Sequence, residues 1–297
     1  MKVLVTGRGG QLAWELEQTT PDGIEFVSFD AIALDITDFG RVNQVLMAES
    51  PDIVINAAAY TAVDKAETEQ QAAYAVNEVG SQHLAIACKN INAKLIHVST
   101  DFVFDGTKTM PYQTDDTPNP INVYGASKLA GEIKVNNILG NQATIIRTAW
   151  VYSANGNNFV KTMLRLMAER EKLGIVYDQV GTPTWAKGLA KMIWGLIELN
   201  KTNPENKAQL LHWTDAGVAS WFDFAVAIQE LGIEKGLLTR AIPLSAIPAA
   251  NYPAPAARPS FSVIDKVTAE AACGISTVHW RKQLCKMLDE YIANQSH

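Results

Sequence analysis

Residues 3–13 read Val-Leu-Val-Thr-Gly-Arg-Gly-Gly-Gln-Leu-Ala, so a short apolar run meets a helical pattern at a cluster of glycines. Within this stretch three small residues, Gly7, Gly10 and Ala13, lie three apart. Gly7 would permit a tight turn, Gly10 would let backbone N–H groups approach a phosphate, and Ala13 would let the helix pack close to the strand. An ordinary strand-to-helix turn would look similar, so the stretch alone leaves both interpretations open.

Asp30 gives the glycine cluster a context, because it ends the next apolar run, twenty residues on from Gly10. A carboxylate there can hold the ribose hydroxyls of an adenine dinucleotide, so the combination predicts dinucleotide binding. Asp30 would repel a 2′-phosphate and favour NADH, whereas Arg8 would neutralise that phosphate and favour NADPH. We therefore expect that either NADPH or NADH is accepted. Asp35 would meet the adenine amino group, or it lies in a solvated loop beside an Asp helix cap.

Apolar runs and helical patterns alternate through the first half of the chain. Strands that are separated by helix-length segments imply right-handed crossovers and a parallel sheet. The sequence therefore predicts an α/β fold with a doubly wound (Rossmann) sheet and its ligand at the carboxyl ends of the strands. The predicted strands after the first are 24–29, 52–56, 93–99 and 143–147, with helices over 70–90 and 127–139.

The alternation weakens after about residue 150, where Pro, Trp and Gly become frequent. Strand-like segments at 174–176 and 210–213 suggest that the chain returns to the first sheet before it finishes in a smaller C-terminal substrate-binding lobe. We therefore divide the chain into a dinucleotide-binding domain, 1–149 with returning segments near 174–200 and 208–214, and a substrate-binding lobe, 150–173 and 215–297.

Composition excludes several classes of protein. The net charge of −6 opposes binding to a phosphate backbone, so nucleic acid is not an expected partner. No apolar stretch is long enough to cross a bilayer, and the apolar run at the start is too short for a signal peptide. Cys88, Cys273 and Cys285 have neither an even number nor metal-ligand spacing, so we expect reduced thiols and a cytoplasmic protein without membrane contact.

Two further stretches carry side chains suited to chemistry at the sheet edge. Asn56-Ala-Ala-Ala-Tyr-Thr61 follows a buried strand, and its small residues leave room for a flat ligand or for close helix packing. Tyr124 and Lys128 lie four apart at the start of a predicted helix, hence on one face. A nearby ammonium would lower the pKa of a phenol, and Lys128 would also reach the nicotinamide ribose. Ser99-Thr-Asp101 ends the preceding strand and would meet the same edge.

The chain resembles the extended short-chain dehydrogenase/reductase superfamily and, within it, the dTDP-4-dehydrorhamnose reductase family. The resemblance extends from residue 1 to the segment 252–259, which is nearly the whole chain. It rests on these strings, in order: Thr6-Gly7 with Gly10-Gln11-Leu12, Asn56-Ala-Ala-Ala-Tyr-Thr-Ala-Val-Asp-Lys-Ala-Glu67, Ser99-Thr-Asp-Phe-Val-Phe-Asp-Gly106, Asn122-Val-Tyr-Gly-Ala-Ser-Lys-Leu-Ala-Gly-Glu132, Arg147-Thr-Ala-Trp-Val-Tyr152, Asn157-Asn-Phe159 and Asp178-Gln-Val-Gly-Thr-Pro183.

The resemblance implies a reductase of dTDP-4-dehydro-L-rhamnose that serves the synthesis of cell-surface polysaccharide. Hydride would pass from the nicotinamide to carbon 4 of the keto sugar, and Tyr124 would protonate the developing alkoxide. Lys128 would tune that phenol, and Thr100 would hydrogen-bond the sugar oxygen.

The resemblance and the residue patterns together assign the binding sites. Arg258, in a Pro-rich stretch, is either a clamp for the substrate pyrophosphate or a surface salt bridge. The expected substrate contacts are Thr100, Asp101, Trp150, Asn158 and Arg258. The expected cofactor contacts are Gly7, Arg8, Gly10, Gln11, Leu12, Asp30, Asp35, Ile36, Ala59, Tyr60, Thr61, Tyr124 and Lys128.

Two positions depart from the family pattern. Phe102 stands where the family usually has Tyr, so a hydrogen bond from that ring is lost. Lys187 stands where some members place a carboxylate that helps to hold magnesium between subunits, with partners that match Glu15 and Glu290. We therefore expect no metal, and a monomer or a weak homodimer.

Three other functions share parts of this pattern. A sugar-nucleotide dehydratase needs an acid and a base beside the Thr, whereas Phe102 exchanges no proton. An epimerase would use the same Tyr and Thr with a retained cofactor. A regulatory subunit that binds a nucleotide and a partner enzyme would not need the intact set of Thr100, Tyr124 and Lys128.

Overall fold

The computed structural model describes residues 1–202 and 210–295. The strands are β1 Lys2–Thr6, β2 Glu25–Phe29, β3 Ile53–Asn56, β4 Lys94–Thr100, β5 Ala143–Thr148, β6 Val151–Tyr152, β7 Leu173–Val176, β8 Val180–Gly181, β9 Thr184–Trp185, β10 Leu210–His212, β11 Ala219–Ser220 and β12 Leu244–Ile247. The α-helices are α1 Gln11–Gln18, α2 Phe39–Glu49, α3 Val63–Ala66, α4 Gln70–Tyr74, α5 Ser81–Asn90, α6 Val123–Leu139, α7 Phe159–Glu169, α8 Ala186–Thr202, α9 Trp221–Glu234, α10 Val267–Cys273 and α11 Trp280–Gln295. A π-helical segment, Ala75–Gly80, joins α4 to α5.

The central sheet has six strands in the order β10-β5-β4-β3-β1-β2, and all of its pairs are parallel. This confirms the predicted doubly wound sheet. Every residue of β3 is buried, as is typical of a strand covered by helices on both faces. Because β1 leads to β2 on one side and pairs with β3 on the other, the carboxyl ends of β1 and β3 flank the point where the strand order reverses. Ligands of such sheets bind there.

The two strand-like segments of the second half behave differently. β10 joins β5 at the edge of the central sheet, as the sequence predicted, although residues 208 and 209 of the predicted returning segment lie outside the described residues. The prediction that 174–176 returns to this sheet is wrong, since β7 pairs with β12 in a separate two-stranded sheet. β7 buries only Ile175, so it lacks the two apolar faces that an inner parallel strand requires.

Hydrophobic clusters cover both faces of the central sheet and fill a further region. One face packs on α1, α8 and α10, and the opposite face packs on α2, α5 and α6. A third cluster joins α7, α9 and α11, all within residues 150–173 and 215–297. This separate core supports the proposed substrate lobe, while its boundaries stay a prediction. None of the helices in the described part of the chain is both long and apolar enough to cross a membrane.

Helix α6 lies unusually close to its neighbours because two of its residues are glycines. A Cβ atom at Gly125 would lie 2.1 Å from the carbonyl oxygen of Phe102, and one at Gly131 would lie 2.1 Å from that of Asn77. The helix begins at Asn122, whose Oδ1 accepts a hydrogen bond from the Gly125 backbone N–H at 2.7 Å. These contacts fix the first turn of α6 against the end of β4.

Replacement of Gly131 by alanine tests this close approach. We expect Gly131→Ala to lower the free energy of unfolding by about 1–3 kcal/mol or more, the usual cost of overpacking, because the carbonyl oxygen in its way is backbone. Gly40→Ala, on the exposed side of α2, is the matched control and should be neutral or stabilising by up to about 1 kcal/mol. Urea unfolding of the two variants and the parent gives the comparison. Equal stabilities for both variants would contradict the packing argument.

Candidate active site

The glycine turn between β1 and α1 leaves space that side chains would fill. Gly7 and Gly9 have φ angles of +82° and +89°, and a Cβ at Gly7 would lie 2.8 Å from the backbone nitrogen of Ala58. Gly10 precedes α1 without a side-chain cap, and the first turn of α1 carries no acidic residue. The positive end of the helix is therefore open to an anion. This cradle fits the pyrophosphate of a dinucleotide.

Arg8 and Asp30 lie side by side at the ends of β1 and β2, as the backbone N–H of Arg8 donates to the Phe29 carbonyl at 2.9 Å. One oxygen of Asp30 accepts hydrogen bonds from the N–H groups of Ile32 at 3.0 Å and Ala33 at 2.8 Å. This turn holds the carboxylate in place and leaves its second oxygen for a ribose. The ribose contact stays a prediction.

The loop after β2 contains two further predicted cofactor contacts. Asp35 is exposed and accepts from Thr37, while Asp38 caps α2 by accepting from the Arg41 N–H at 3.0 Å. This matches the alternative of a solvated loop beside an Asp cap. Ile36 has its side chain buried against Gly80, so its backbone is the part left to meet an adenine.

The segment from Ala57 to Thr61 is held by Asn77, which lies in the π-helical segment. The Asn77 side chain accepts from the Tyr60 N–H at 2.9 Å, and it donates to the Tyr60 carbonyl at 3.1 Å and to Ser127 Oγ at 3.0 Å. The Tyr60 hydroxyl donates to Glu69 at 2.6 Å, which raises the pKa of Tyr60 to about 12. The small residues 57–59 thus form a fixed wall between the glycine turn and α6.

Thr100, Tyr124 and Lys128 meet at the carboxyl edge of the sheet, as predicted. Thr100 is the last residue of β4, and its hydroxyl lies within reach of the Tyr124 phenol, whose pKa it lowers. The Thr100 hydroxyl also donates to Asp101 Oδ1 at 3.2 Å. Lys128 lies one turn further along α6, is 2% exposed and donates to the Val98 carbonyl at 2.6 Å.

The electrostatics of the phenol differ from the expectation. Burial raises the pKa of Tyr124 to about 12, and the nearby Asp101 charge adds to the rise while the Thr100 hydrogen bond opposes it. The lowering expected from Lys128 is not found, since the ammonium is directed at the Val98 carbonyl. A phenol with a raised pKa is fully protonated at neutral pH, which suits a proton donor.

Burial also shifts the two charged groups beside the phenol. It lowers the pKa of Lys128 to about 8, although the Glu132 carboxylate one turn away acts in the opposite direction. It raises the pKa of Asp101 to about 7, against the hydrogen bonds from Ser262 and Thr100. Both groups therefore titrate near neutral pH.

Trp150 and Trp221 form an aromatic wall beside Asp101. Trp150 follows β5 with a φ of +46°, and its ring stacks on Trp221 with centroids 3.5 Å apart. Gly181 makes room for this wall, as a Cβ there would lie 2.9 Å from the Trp150 ring and 3.0 Å from Ser262 Oγ. Because Ser262 also bonds Asp101, the structure brings two predicted substrate contacts together on one side of the cleft.

Asn158 and Gln11 connect the start of α7 to the start of α1. Asn158 caps α7 by accepting from the Lys161 N–H at 3.1 Å, and its amide donates to Gln11 Oε1 at 2.9 Å and to the Ser153 carbonyl at 2.8 Å. Both of its amide hydrogens are thus engaged within the protein. Leu12, beside Gln11, has its side chain buried in the core. The substrate contact of Asn158 and the cofactor contacts of Gln11 and Leu12 stay predictions.

Arg258 is in an ion pair, which is one of its two expected roles. Its guanidinium donates to Asp64 at 2.8 Å and to the Ala256 carbonyl at 3.1 Å. The Asp64 side chain also accepts from the Ala256 N–H at 3.3 Å. The pair holds the Pro-rich segment against α3, so a clamp on a pyrophosphate would require this contact to open.

Lys187 forms an ion pair with Glu290 near Glu15. Burial raises the pKa of Glu15 to about 7, while its hydrogen bond from Ser153 Oγ at 2.7 Å opposes the shift. Among residues 1–202 and 210–295, no group of three or more His, Cys, Asp or Glu side chains is placed to hold a metal ion.

Sequence reasoning missed several residues that shape the site: Asn77, Glu132, Arg147, Trp221 and Ser262. Only Glu132 carried a usable signal, since it stands four residues after Lys128 and so lies on the same helix face. The others reach the site from distant parts of the chain, and their residue types gave no indication of it.

Comparisons with known proteins agree with this geometry. A family model described as the RmlD substrate binding domain matches residues 1–293. A dTDP-4-dehydrorhamnose reductase from Burkholderia thailandensis is 41% identical over 295 residues, which cover 95% of this chain and 96% of that protein.

Two solved structures are similar over nearly their whole length. A dTDP-4-dehydrorhamnose reductase from Clostridium acetobutylicum matches with a TM-score of 0.90 at 37% identity, covering 97% of this chain and 99% of that chain. Another from Bacillus anthracis, in complex with NADP, matches with a TM-score of 0.87 at 36% identity and the same coverage.

The buried carboxyl of Asp101 predicts a pH-dependent stability. Its pKa is about 7 in the folded protein and about 4 in an unfolded chain, so the cost of burying its charge appears as pH rises from 4 to 7. Asp101→Asn should therefore gain stability relative to the parent over that interval, on the order of a few kcal/mol. Urea unfolding at pH 4, 6 and 8 measures the difference. A difference that is the same at all three pH values would contradict this assignment.

Proposed function

Since this chain belongs to the RmlD substrate binding domain family, we propose that the site described above carries out the reaction for which its relatives are named. The protein is an oxidoreductase that reduces dTDP-4-dehydrorhamnose with NAD(P)H in dTDP-rhamnose biosynthesis. One observation supports the site assignment above all others. A protonated phenol, Tyr124, lies within reach of the Thr100 hydroxyl at the end of β4, one turn from the buried ammonium of Lys128.

Tyr124 serves as the proton donor in this proposal. The bound cofactor supplies the hydride that reduces carbon 4 of the keto sugar. The developing alkoxide takes its proton from Tyr124, which is fully protonated at neutral pH because burial raises its pKa. The Thr100 hydroxyl, already in contact with the phenol, hydrogen-bonds the same sugar oxygen and so holds it at the donor.

Lys128 links the acid to the cofactor. Its ammonium has three N–H donors, of which one is bonded to the Val98 carbonyl. The others are available to the ribose next to the nicotinamide. The Val98 contact holds the ammonium at the carboxyl edge of the sheet. The groups that bind the ribose and protonate the sugar therefore lie on the same face of α6.

The glycine turn and Asp30 accommodate the other half of the dinucleotide. The Gly7 and Gly10 cradle takes the pyrophosphate, and the free oxygen of Asp30 takes the adenosine ribose. Arg8, exposed at the end of β1, faces solvent beside Asp30 and can balance a 2′-phosphate. We therefore infer that both NADH and NADPH are used.

The finer points of the substrate and the setting are also proposals. Asp101 and the Trp150 wall contact the keto sugar in this proposal, since a flat indole face accepts the apolar side of a deoxysugar. The enzyme acts as a monomer or a weak homodimer, without nucleic acid. Because its substrates are a nucleotide sugar and a dinucleotide of the cell interior, we place it in the cytoplasm.

A dehydratase is disfavoured by the residue beside Thr100. The Phe102 ring packs edge-on against Tyr124, with centroids 5.7 Å apart, and it carries no exchangeable proton. An epimerase would retain NAD through purification, whereas a reductase consumes NAD(P)H in proportion to substrate. A regulatory subunit would bind the cofactor and leave it unoxidised in the presence of the keto sugar.

Removal of the Tyr124 hydroxyl tests the assigned acid. Tyr124→Phe should lower kcat by about 100-fold or more and leave NADPH affinity nearly unchanged, because only the proton donor is lost. Tyr291→Phe, on α11, is the matched control and should keep the parent rate. Oxidation of NADPH with dTDP-4-dehydro-L-rhamnose, followed by absorbance, gives the rates. Equal rates for Tyr124→Phe and the parent would refute the role of the phenol.

Cofactor choice is tested best by Asp30→Asn, because asparagine keeps the oxygen that accepts from Ile32 and Ala33 and removes only the charge. We expect the ratio of kcat/KM for NADPH over that for NADH to rise by about 10-fold, the effect of removing one charge that opposes the 2′-phosphate. Asp52→Asn, at the opposite end of the strands, should leave the ratio unchanged. An unchanged ratio in Asp30→Asn would count against the ribose contact.

A further inference from the structure

Glu132 is a buried acid that accepts hydrogen bonds from residues on two different strands. It lies one turn beyond Lys128 on α6 and is 4% exposed. Arg147 donates from Nε to its Oε1 at 3.0 Å and from Nη2 to its Oε2 at 2.7 Å. The Ser99 hydroxyl donates to Oε1 at 2.5 Å. A single carboxylate thus connects α6 to β4 and to β5.

The two strand residues that bind Glu132 are neighbours across the sheet. Ser99 on β4 is the register partner of Arg147 on β5, and the next pair along is Thr100 with Thr148. The contacts therefore lie one residue before the catalytic edge. A carboxylate held at this level fixes the height at which α6 crosses the ends of β4 and β5.

A buried ion pair of this kind is poor evidence for stabilisation alone. Apolar side chains of similar size often replace such pairs without loss of stability, whereas loss of one partner leaves an uncompensated charge. Arg147 also lies over the Phe104 ring at 5.1 Å, so its surroundings are largely apolar. Stabilisation alone therefore does not account for the pair, and a role in the function of the site would account for it.

We propose that Glu132 is a positioning residue of the reductase. It fixes α6 against β4 and β5 so that the Tyr124 phenol meets Thr100, and it places a negative charge one turn from the Lys128 ammonium. The inference rests on the proposed function, because it concerns the geometry of the same catalytic groups.

The charge of Glu132 matters because Lys128 is deeply buried. Burial lowers the pKa of Lys128 to about 8 even with Glu132 in place, so loss of that charge would deprotonate the amine near neutral pH. His97, on β4, is buried with a pKa well below its usual range and supplies no compensating charge. The other titratable groups on elements packed on α6 include Arg147 on β5, Asp101 after β4, His83 and Lys89 on α5, Lys65 and Asp64 on α3 (Asp64 paired with Arg258) and Glu78 in the π-helical segment (paired with Lys134).

Glu132→Gln is the direct test, because glutamine keeps the shape and removes the charge. We expect kcat to fall about 10-fold or more at pH 7.5, and the alkaline limb of the kcat profile to move at least about one pH unit lower. KM for the nucleotide sugar should change by less than about 3-fold, since Glu132 contacts no substrate. An unmoved alkaline limb would overturn the proposed electrostatic role.

Two companion variants separate positioning from folding. Glu132→Gln/Arg147→Met removes both charges, so it should unfold near the parent temperature and still show the shifted limb. Ser99→Ala keeps both charges but releases β4, so it should lower kcat without moving the limb. Recovery of the parent profile in the double variant would show that Glu132 only partners Arg147, and would overturn the proposal.

A measurement without substrate distinguishes this inference from the proposed function. NADPH binding, followed by its fluorescence between pH 6 and 9, reports the charge of Lys128 in the binary complex. We expect NADPH binding to weaken at a lower pH in Glu132→Gln than in the parent. If Glu132→Gln shows this shift but the parent does not reduce the keto sugar, the role of Glu132 is supported and the proposed reaction is refuted. If the parent reduces the keto sugar but the shift is absent, the proposed reaction is supported and the role of Glu132 is refuted.

Discussion

The close approach of α6 to the end of β4 is the constraint on which the catalytic arrangement depends. Gly125 allows it, since a Cβ atom there would lie 2.1 Å from the carbonyl oxygen of Phe102, and Gly131 allows an equally close approach to Asn77 in the π-helical segment. Tyr124 immediately precedes Gly125, and Lys128 lies between the two glycines. The phenol can therefore reach the short Thr100 side chain directly, and the Lys128 ammonium can reach the Val98 carbonyl. The close packing of the helix therefore positions the phenol and the ammonium more rigidly than longer side chains on a more distant helix would.

The close packing also buries titratable side chains, and this burial determines their pKa values. The pKa of Tyr124 rises and that of Lys128 falls because both groups are removed from water. Asp101 is also buried, and burial raises the pKa of its carboxyl to about 7. Buried groups of this kind reduce stability and are typical of functional sites, and in the proposed reaction they would act on a substrate oxygen and on the neighbouring phenol.

Sequence reasoning succeeded where the signal was local. The glycine turn, Asp30 at the end of the second strand and the pair Tyr124 and Lys128 each follow from residue type and spacing. It failed where tertiary contacts decide. The segment 174–176 has the composition of a strand but pairs outside the central sheet. The direction of the phenol's pKa shift also depends on burial, which no spacing reveals.

The difference between a reductase and a dehydratase on this fold lies in the residue two positions after Thr100. An elimination needs a second proton carrier there, whereas a reduction needs one proton and a hydride. Phe102 fills that position with an apolar ring that packs edge-on against Tyr124 and donates its backbone N–H to Thr100 Oγ1 at 3.2 Å. The residue thus supports the orientation of both catalytic partners while adding no acid or base. In the proposed reaction Tyr124 therefore supplies the proton, and Phe102 adds no second acid or base beside it.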